Sequence, residues 1–220
     1  RRATSDRMRR LALAAVFIAA AATPARADRY TLDYDGAWLG VAPLGSVRLD
    51  LAVGADSYQA AARLKSSALL NIFEKTDLVA AASGVVGADG RLAWRRYDLD
   101  HSYAKKRRVT SLRLSDADAF RALITPSYRT WGNPPATDAE KRAARDPLSS
   151  LVAMSADVAR AKTCGGVYAT FDGRFLYDLA LSGGRAGRFN DGGYEGPVLK
   201  CRLQYRPRAG FDPEDGTGRR

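Results

Sequence analysis

Apolar and polar positions alternate with a period of two through much of this chain, the pattern of strands that bury one face. Val47, Leu49, Leu51 and Val53 alternate with Ser46, Arg48, Asp50 and Ala52. Tyr58, Ala60, Ala62 and Leu64 repeat the pattern after Gly54-Ala55-Asp56, so residues 44–66 read as a hairpin. Val85-Val86 and Leu92-Ala93-Trp94 flank Gly87-Ala88-Asp89-Gly90, a second hairpin. Residues 103–114 read as one strand with Lys105, Lys106, Arg107 and Arg108 inside it. Phe171 on one side and Phe175, Tyr177, Leu179 and Leu181 on the other bracket Asp172-Gly173, a turn pair that tolerates positive φ. Leu199, Cys201, Leu203 and Tyr205 alternate with Lys200, Arg202, Gln204 and Arg206, which puts Cys201 on the face of Leu199 and Leu203.

One segment departs from the strand rhythm. Asp146 is placed to cap a helix, Pro147 suits its first position, and Leu148, Leu151, Val152, Ser155 and Val158 fall near 3.6 spacing, which predicts a helix over about 147–160. Residues 130–135 read as a loop and 137–145 as a short exposed helix. Gly183-Gly184 and Gly192-Gly193 read as turn glycines, since neither leads from a strand into a helix as a phosphate-binding loop requires. The expected fold is mainly β: a curled antiparallel sheet or half-open barrel with one helix packed against its concave side.

The first residues bear on compartment. Met8-Arg9-Arg10 is a basic start, Leu11 to Ala22 is uninterruptedly apolar, and Ala25-Arg26-Ala27 is a small-x-small cleavage site, so residues 1–27 read as a secretory signal peptide cut after Ala27, with 1–7 lying upstream of a start at Met8. Residues 28–211 then form a single β-rich periplasmic domain and 212–220 a loose tail. Residues 1–27 hold six Arg and one Asp, so removing them lowers the formal charge from +11 to +6. Hydrophobic residues at 46% and charged residues at 27% are those of an ordinary packed domain, which sets disorder and fibrous repeats aside. No second apolar run of about 18 residues follows, so a membrane-spanning product is not expected.

Cys164 and Cys201 are the two cysteines. In an exported protein an even pair reads as a structural disulfide, and closing a loop of about 37 residues is worth roughly 4 kcal/mol on the chain-entropy model. There is no C-x-x-C, and two cysteines with one histidine do not make a zinc site.

Four segments in order, Tyr34-Asp35-Gly36-Ala37-Trp38-Leu39-Gly40, Asp146-Pro147-Leu148-Ser149-Ser150-Leu151, Phe171-Asp172-Gly173-Arg174 with Tyr177-Asp178-Leu179, and Cys201 with Gly210-Phe211, resemble the exported bacterial proteins of domain-of-unknown-function family 3108. The resemblance covers nearly all of the chain after the leader. It implies a periplasmic β-rich protein with no assigned reaction and adds no catalytic residue. A looser analogy links a curled sheet with an inner helix to envelope carriers of lipids or lipoproteins.

Candidate chemistry is sparse. His101 sits in Asp98-Leu99-Asp100-His101-Ser102-Tyr103 without a nucleophile motif such as G-x-S-x-G, and reads as a polar strand or loop histidine. Asp98 and Asp100 share one solvated face by their i, i+2 spacing. Lys105, Lys106, Arg107 and Arg108, with Arg95-Arg96 nearby, suit an anionic surface such as lipid head groups, lipopolysaccharide or acidic glycans, or else protect an exposed strand. Alternation sends Lys106 and Arg108 to one side and Lys105 and Arg107 to the other. Leu69, Leu70, Ile72 and Phe73 form a dense apolar cluster that Leu148, Leu151 and Val152 would face, either filling the interior or lining a pocket for an acyl chain. Trp38, Trp94 and Trp131 suit core or rim alike. The leading expectation is a non-enzymatic periplasmic protein that binds a hydrophobic or amphipathic envelope ligand or an envelope protein. A scaffold that recognises protein partners without a cavity is the alternative, and an envelope hydrolase built on His101 or a carboxylate pair is the third. Nucleic acid, a cofactor and a metal are not expected.

Overall fold

The computed structural model describes residues 27–38, 42–67, 75–115, 117, 119–191 and 193–212. Seven strands follow in chain order: β1 (Asp28–Trp38), β2 (Ala42–Val53), β3 (Ser57–Ser66), β4 (Thr76–Val86), β5 (Leu92–Tyr103), β6 (Lys106–Leu114) and β7 (Phe120–Thr125). Two helices come next, α1 (Asp138–Ala143) and α2 (Pro147–Ala161), then β8 (Val167–Phe171), β9 (Leu176–Asp191) and β10 (Tyr194–Ala209). The first seven strands make one open antiparallel sheet in which every strand pairs with its chain neighbour, and the last three make a second sheet ordered β10-β9-β8. The protein is thus mainly β, as the alternation predicts, with two helices where the pattern predicts one major one and one short one.

Most hairpins fall where the turn residues place them. Val53 pairs with Tyr58 around the Gly54 loop, and Val86 with Leu92 around Gly87 to Gly90. The expected single strand over 103–114 is instead two strands, folded back at Ala104-Lys105 with Tyr103 opposite Lys106. Ala104 takes φ 49° there. No Gly, Asn, Asp or Pro marks this turn, and cross-strand pairing over the length of β5 and β6 sustains a conformation that alanine disfavours. β1 and β7 carry weaker sequence signals and emerge only as the outer strands of the sheet.

The helix forms where its caps predict. Asp146 lies outside the helix at φ −70° and ψ 164°, and its Oδ1 accepts from the Ser149 amide at 2.9 Å. α1 closes with a capping box between Thr137 and Glu140. α2 packs on β3, β4 and β5 with one side and on β8 with another. Alanines at 60, 80 and 82, all buried, keep the sheet thin beneath it, while Leu148 and Val152 fill the contact. Its first turn is bonded to both sheets. Tyr58 donates to Ser149 Oγ at 2.6 Å, the Trp94 indole to the Ala144 carbonyl at 2.8 Å, and the hydroxyls of Ser150 and Thr170 meet at 2.8 Å. Trp94 is thereby a core residue, whereas Trp131 is exposed and meets Tyr128 edge-on.

Cys164 and Cys201 are disulfide-bonded, with Cα atoms 5.6 Å apart. The bond does not staple the helix to a core strand. β10 is an edge strand, Cys201 is exposed, and Leu203 and Tyr205 are about half exposed, so the bridge fastens a projecting hairpin to the loop after α2. Gly183-Gly184 is likewise not a turn. Both lie inside β9 at a register shift opposite Cys201, and Gly184, at φ +128°, leaves room for the Cys164 sulfur, which a Cβ there would meet at 3.4 Å. Gly193 does lie in the tight connection between β9 and β10. Asp212, expected in the loose tail, is held by Arg174 and by the Thr130 hydroxyl. Residues 1–26 of the leader expected over 1–27, and residues 213–220 of the expected tail, lie outside the described residues.

Candidate functional site

Strand pairing lines up one side chain per strand into rungs across the large sheet, and on the face that carries α2 three consecutive rungs follow the one that holds Tyr58. The first of the three contains Tyr30, Leu51, Ala60, Ala82, Tyr97 and Leu112. Beside it run Leu32, Leu49, Ala62, Ala80, Leu99 and Thr110. The third rung, towards the β5–β6 turn, is Tyr34, Val47, Leu64, Leu78, His101 and Arg108. It is apolar from β1 to β4 and basic on β5 and β6.

α2 covers the middle strands and leaves the β1–β3 end of this face open. Tyr34 is 57% exposed, Tyr30 53%, Leu32 41% and Leu64 36%, although all four sit on the same face as the buried Tyr58 and Ala60. A groove of about 550 Å³ runs along Tyr34, Leu44, Val47, Leu64 and Thr76, within the size range of small-ligand sites. A narrower crevice of about 60 Å³ lies where Leu148, Leu151 and Val152 of α2 approach Leu32, Leu49 and Ala60. Of the predicted apolar site residues, Leu148 and Val152 are core, and Leu151 is exposed at the mouth of this crevice. Leu69, Leu70, Ile72 and Phe73 lie outside the described residues. Val47 and Leu64 of the open rung were legible as strand positions and Tyr34 only within the family resemblance, and none of them as a site, because alternation tells which side chains share a face and not which of them a helix will cover.

The basic run divides as its alternation predicts, except that Lys105 belongs to the turn. Arg107 is on the face away from α2 and binds Asp100 through Nε at 2.8 Å and Nη2 at 2.5 Å. Arg108 is on the α2 face opposite His101, with Lys106 at the next inward-facing position, opposite Tyr103. Its Nε donates to the Pro126 carbonyl at 3.0 Å and Nη1 to the Tyr103 hydroxyl at 3.4 Å, and the guanidinium lies 3.8 Å over the Tyr128 ring. His101 stacks on Tyr103 with ring centres 4.8 Å apart.

Asp98 and Asp100 point away from His101, across the plane of the sheet, so the three do not form one constellation. The Arg107 hydrogen bond holds Asp100 below the usual carboxylate range. For Asp98, burial acts upward, and the hydrogen bonds from Arg96 and Arg113 together outweigh it and bring the group down. The larger hollow on that opposite face, about 630 Å³, is lined by small side chains among Arg29, Thr31, Asp50 and Arg96.

Two other carboxylates are withdrawn from solvent: Asp146, fully buried, caps α2, and Asp172, half-buried, closes the turn between β8 and β9. Burial pushes Asp146 up to about 6 against the hydrogen bonds from Ser149, and its Oδ2 has no partner among the described residues. Asp172 is raised by burial while its Oδ1 accepts from the amides of Arg174 and Phe175 at 2.9 Å and 2.8 Å. Tyr97 is pushed far up, by burial first and then by these two acids. Among the described residues no three His, Cys, Asp or Glu side chains gather to hold a metal ion, and no helix is long and apolar enough to cross a membrane. No family model, no curated protein and no solved structure matches this chain.

Proposed function

We propose that this chain is an exported cell-envelope protein that binds a hydrophobic or amphipathic ligand, without catalysis, on the α2-bearing face of its large sheet. In this reading the sheet is a curled half-barrel, α2 plugs one end of its concave side, and the ligand lies along the open end. The observation that carries it is the apolar rung of exposed Tyr34 and Leu64 and half-buried Val47, with exposed Leu44 beside it, bordering a groove of ligand size. A sheet face with no ligand to bind gains nothing from leaving such side chains in water, since each buried leucine is worth roughly 1.5–3 kcal/mol. The Cys164–Cys201 bond is compatible with an oxidising compartment. The resemblance to family 3108 supports the same compartment and supplies no reaction.

The test uses a neutral, polarity-sensitive dye, N-phenyl-1-naphthylamine. The purified protein is expected to bind it saturably with a fluorescence gain, and Leu64→Glu is expected to lose that binding while keeping its circular dichroism spectrum. Absence of saturable binding by the wild-type protein, or undiminished binding by Leu64→Glu, overturns the reading.

A further inference from the structure

The basic end of the open rung specifies the ligand more closely. On the face away from α2, five arginines are matched with acids: Arg48 with Asp33 and Asp50, Arg63 with Asp77, Arg96 and Arg113 with Asp98, and Arg107 with Asp100. Arg108 differs. It is half-buried on the α2 face, and among the described residues no carboxylate pairs with it. Tyr128 covers one side of its guanidinium and hydrogen-bonds it, the Pro126 carbonyl takes Nε, and Nη1 reaches the Tyr103 hydroxyl at a long 3.4 Å. The cation is therefore oriented by its neighbours and keeps donor capacity at its Nη edge, the arrangement that receives a carboxylate in two parallel hydrogen bonds.

The rest of the rung leads away from that edge without a break. His101, Leu78, Leu64, Val47 and Tyr34 follow on successive strands, and at ~4.8 Å per strand the five steps span about 24 Å. At β4 the strip is one rung wide, because Ala80 beside the half-buried Leu78 is covered, and it widens at β1, where Leu32 and Tyr30 are exposed as well. Positive charge at one end, on Arg108 with Lys106 at the next position of the same face, and an apolar strip that leaves it one rung wide complement a molecule with one acid and one chain. We propose that the ligand is a single-chain anionic amphiphile, a long-chain carboxylate, whose acid head sits on Arg108 and whose chain lies along Leu78, Leu64, Val47 and Tyr34. This rests on the reading of the groove as a ligand site and adds head-group chemistry to it.

The experiment compares cis-parinaric acid with its methyl ester, which has the same chain and no charge. The wild-type protein is expected to bind the acid about tenfold or more tightly than the ester, the effect of a hydrogen bond to a charged group. Arg108→Gln is expected to remove that preference by weakening the acid alone, and Arg108→Lys to restore part of it. Because the acid-to-ester ratio is read first on the unaltered protein, a variant that fails to fold does not block the test. Equal binding of acid and ester overturns the head-group assignment and leaves the groove standing; no binding of either overturns both. An equal loss of acid and ester in Arg108→Gln shows that Arg108 is structural, and preference for a two-chain phosphatidylglycerol over the free acid overturns the single-chain assignment.

Discussion

Gly173 shows how a residue chosen for a turn also serves packing. It sits at φ +112° in the connection between β8 and β9, and a Cβ there would lie 2.7 Å from Cγ2 of Thr110, a fully buried residue of β6. The turn thus seats the second sheet against the first at a point where even a methyl group does not fit. Gly173→Ala is expected to destabilise the fold by about 1–3 kcal/mol, read as a lowered urea midpoint with an unchanged slope. The Asp172-Gly173 pair was legible as a turn from its tolerance of positive φ. Its contact with Thr110 was not, since the two residues are brought together by packing and not by local geometry.

α2 joins local and tertiary requirements in one element. Its cap, proline and spacing are local and readable, and the helix begins where they place it. The burial of its cap is not local. Asp146 is wholly buried between elements distant in the chain, and its carboxyl rises from its ordinary 3.8 to about 6. A carboxyl that holds its proton more firmly in the fold than in the unfolded chain contributes stability that is complete below about pH 4 and is lost as pH rises through 6. The change is about two pH units, or ~3 kcal/mol, and Asp172 acts in the same direction. Asp146→Asn keeps an acceptor for the Ser149 amide and carries no charge. Its stability relative to wild type is expected to rise from pH 4 to pH 7, measured by denaturant unfolding at each pH; a constant difference would show that the cap stays charged without penalty.

At the scale of the molecule, α2 lies between two sheets and one long hairpin projects from the smaller of them. The outer half of β9 and β10 pairs only with itself, and the disulfide fastens it to the loop that follows α2. Cys201→Ser is expected to cost up to ~4 kcal/mol, seen as a lower Tm under oxidising conditions and no difference from wild type with reductant present. Amide exchange should quicken across residues 182–203 in this variant, because that region gains little from either core. The same architecture leaves the β1–β3 end of the large sheet uncovered, and the proposed site exists only because α2 is shorter than the face it packs on.

Periodicity, backbone preference and composition over a few residues were enough for the antiparallel β class, the helix and its cap, the main turns and the cysteine pair. It also separated Arg107 from Arg108, because neighbouring strand residues face opposite ways. The remainder came from contacts between distant segments. The fold-back at Ala104 depends on partners along two whole strands, and the exposure of β10 depends on its place at a sheet edge. The alignment of Tyr34, Val47, Leu64, Leu78, His101 and Arg108 needs five strand registers at once, and which part of that face stays open depends on where a helix that begins only at Pro147 comes to rest. A period of two assigns a side chain to a face; only packing between distant segments determines whether that face meets protein or water.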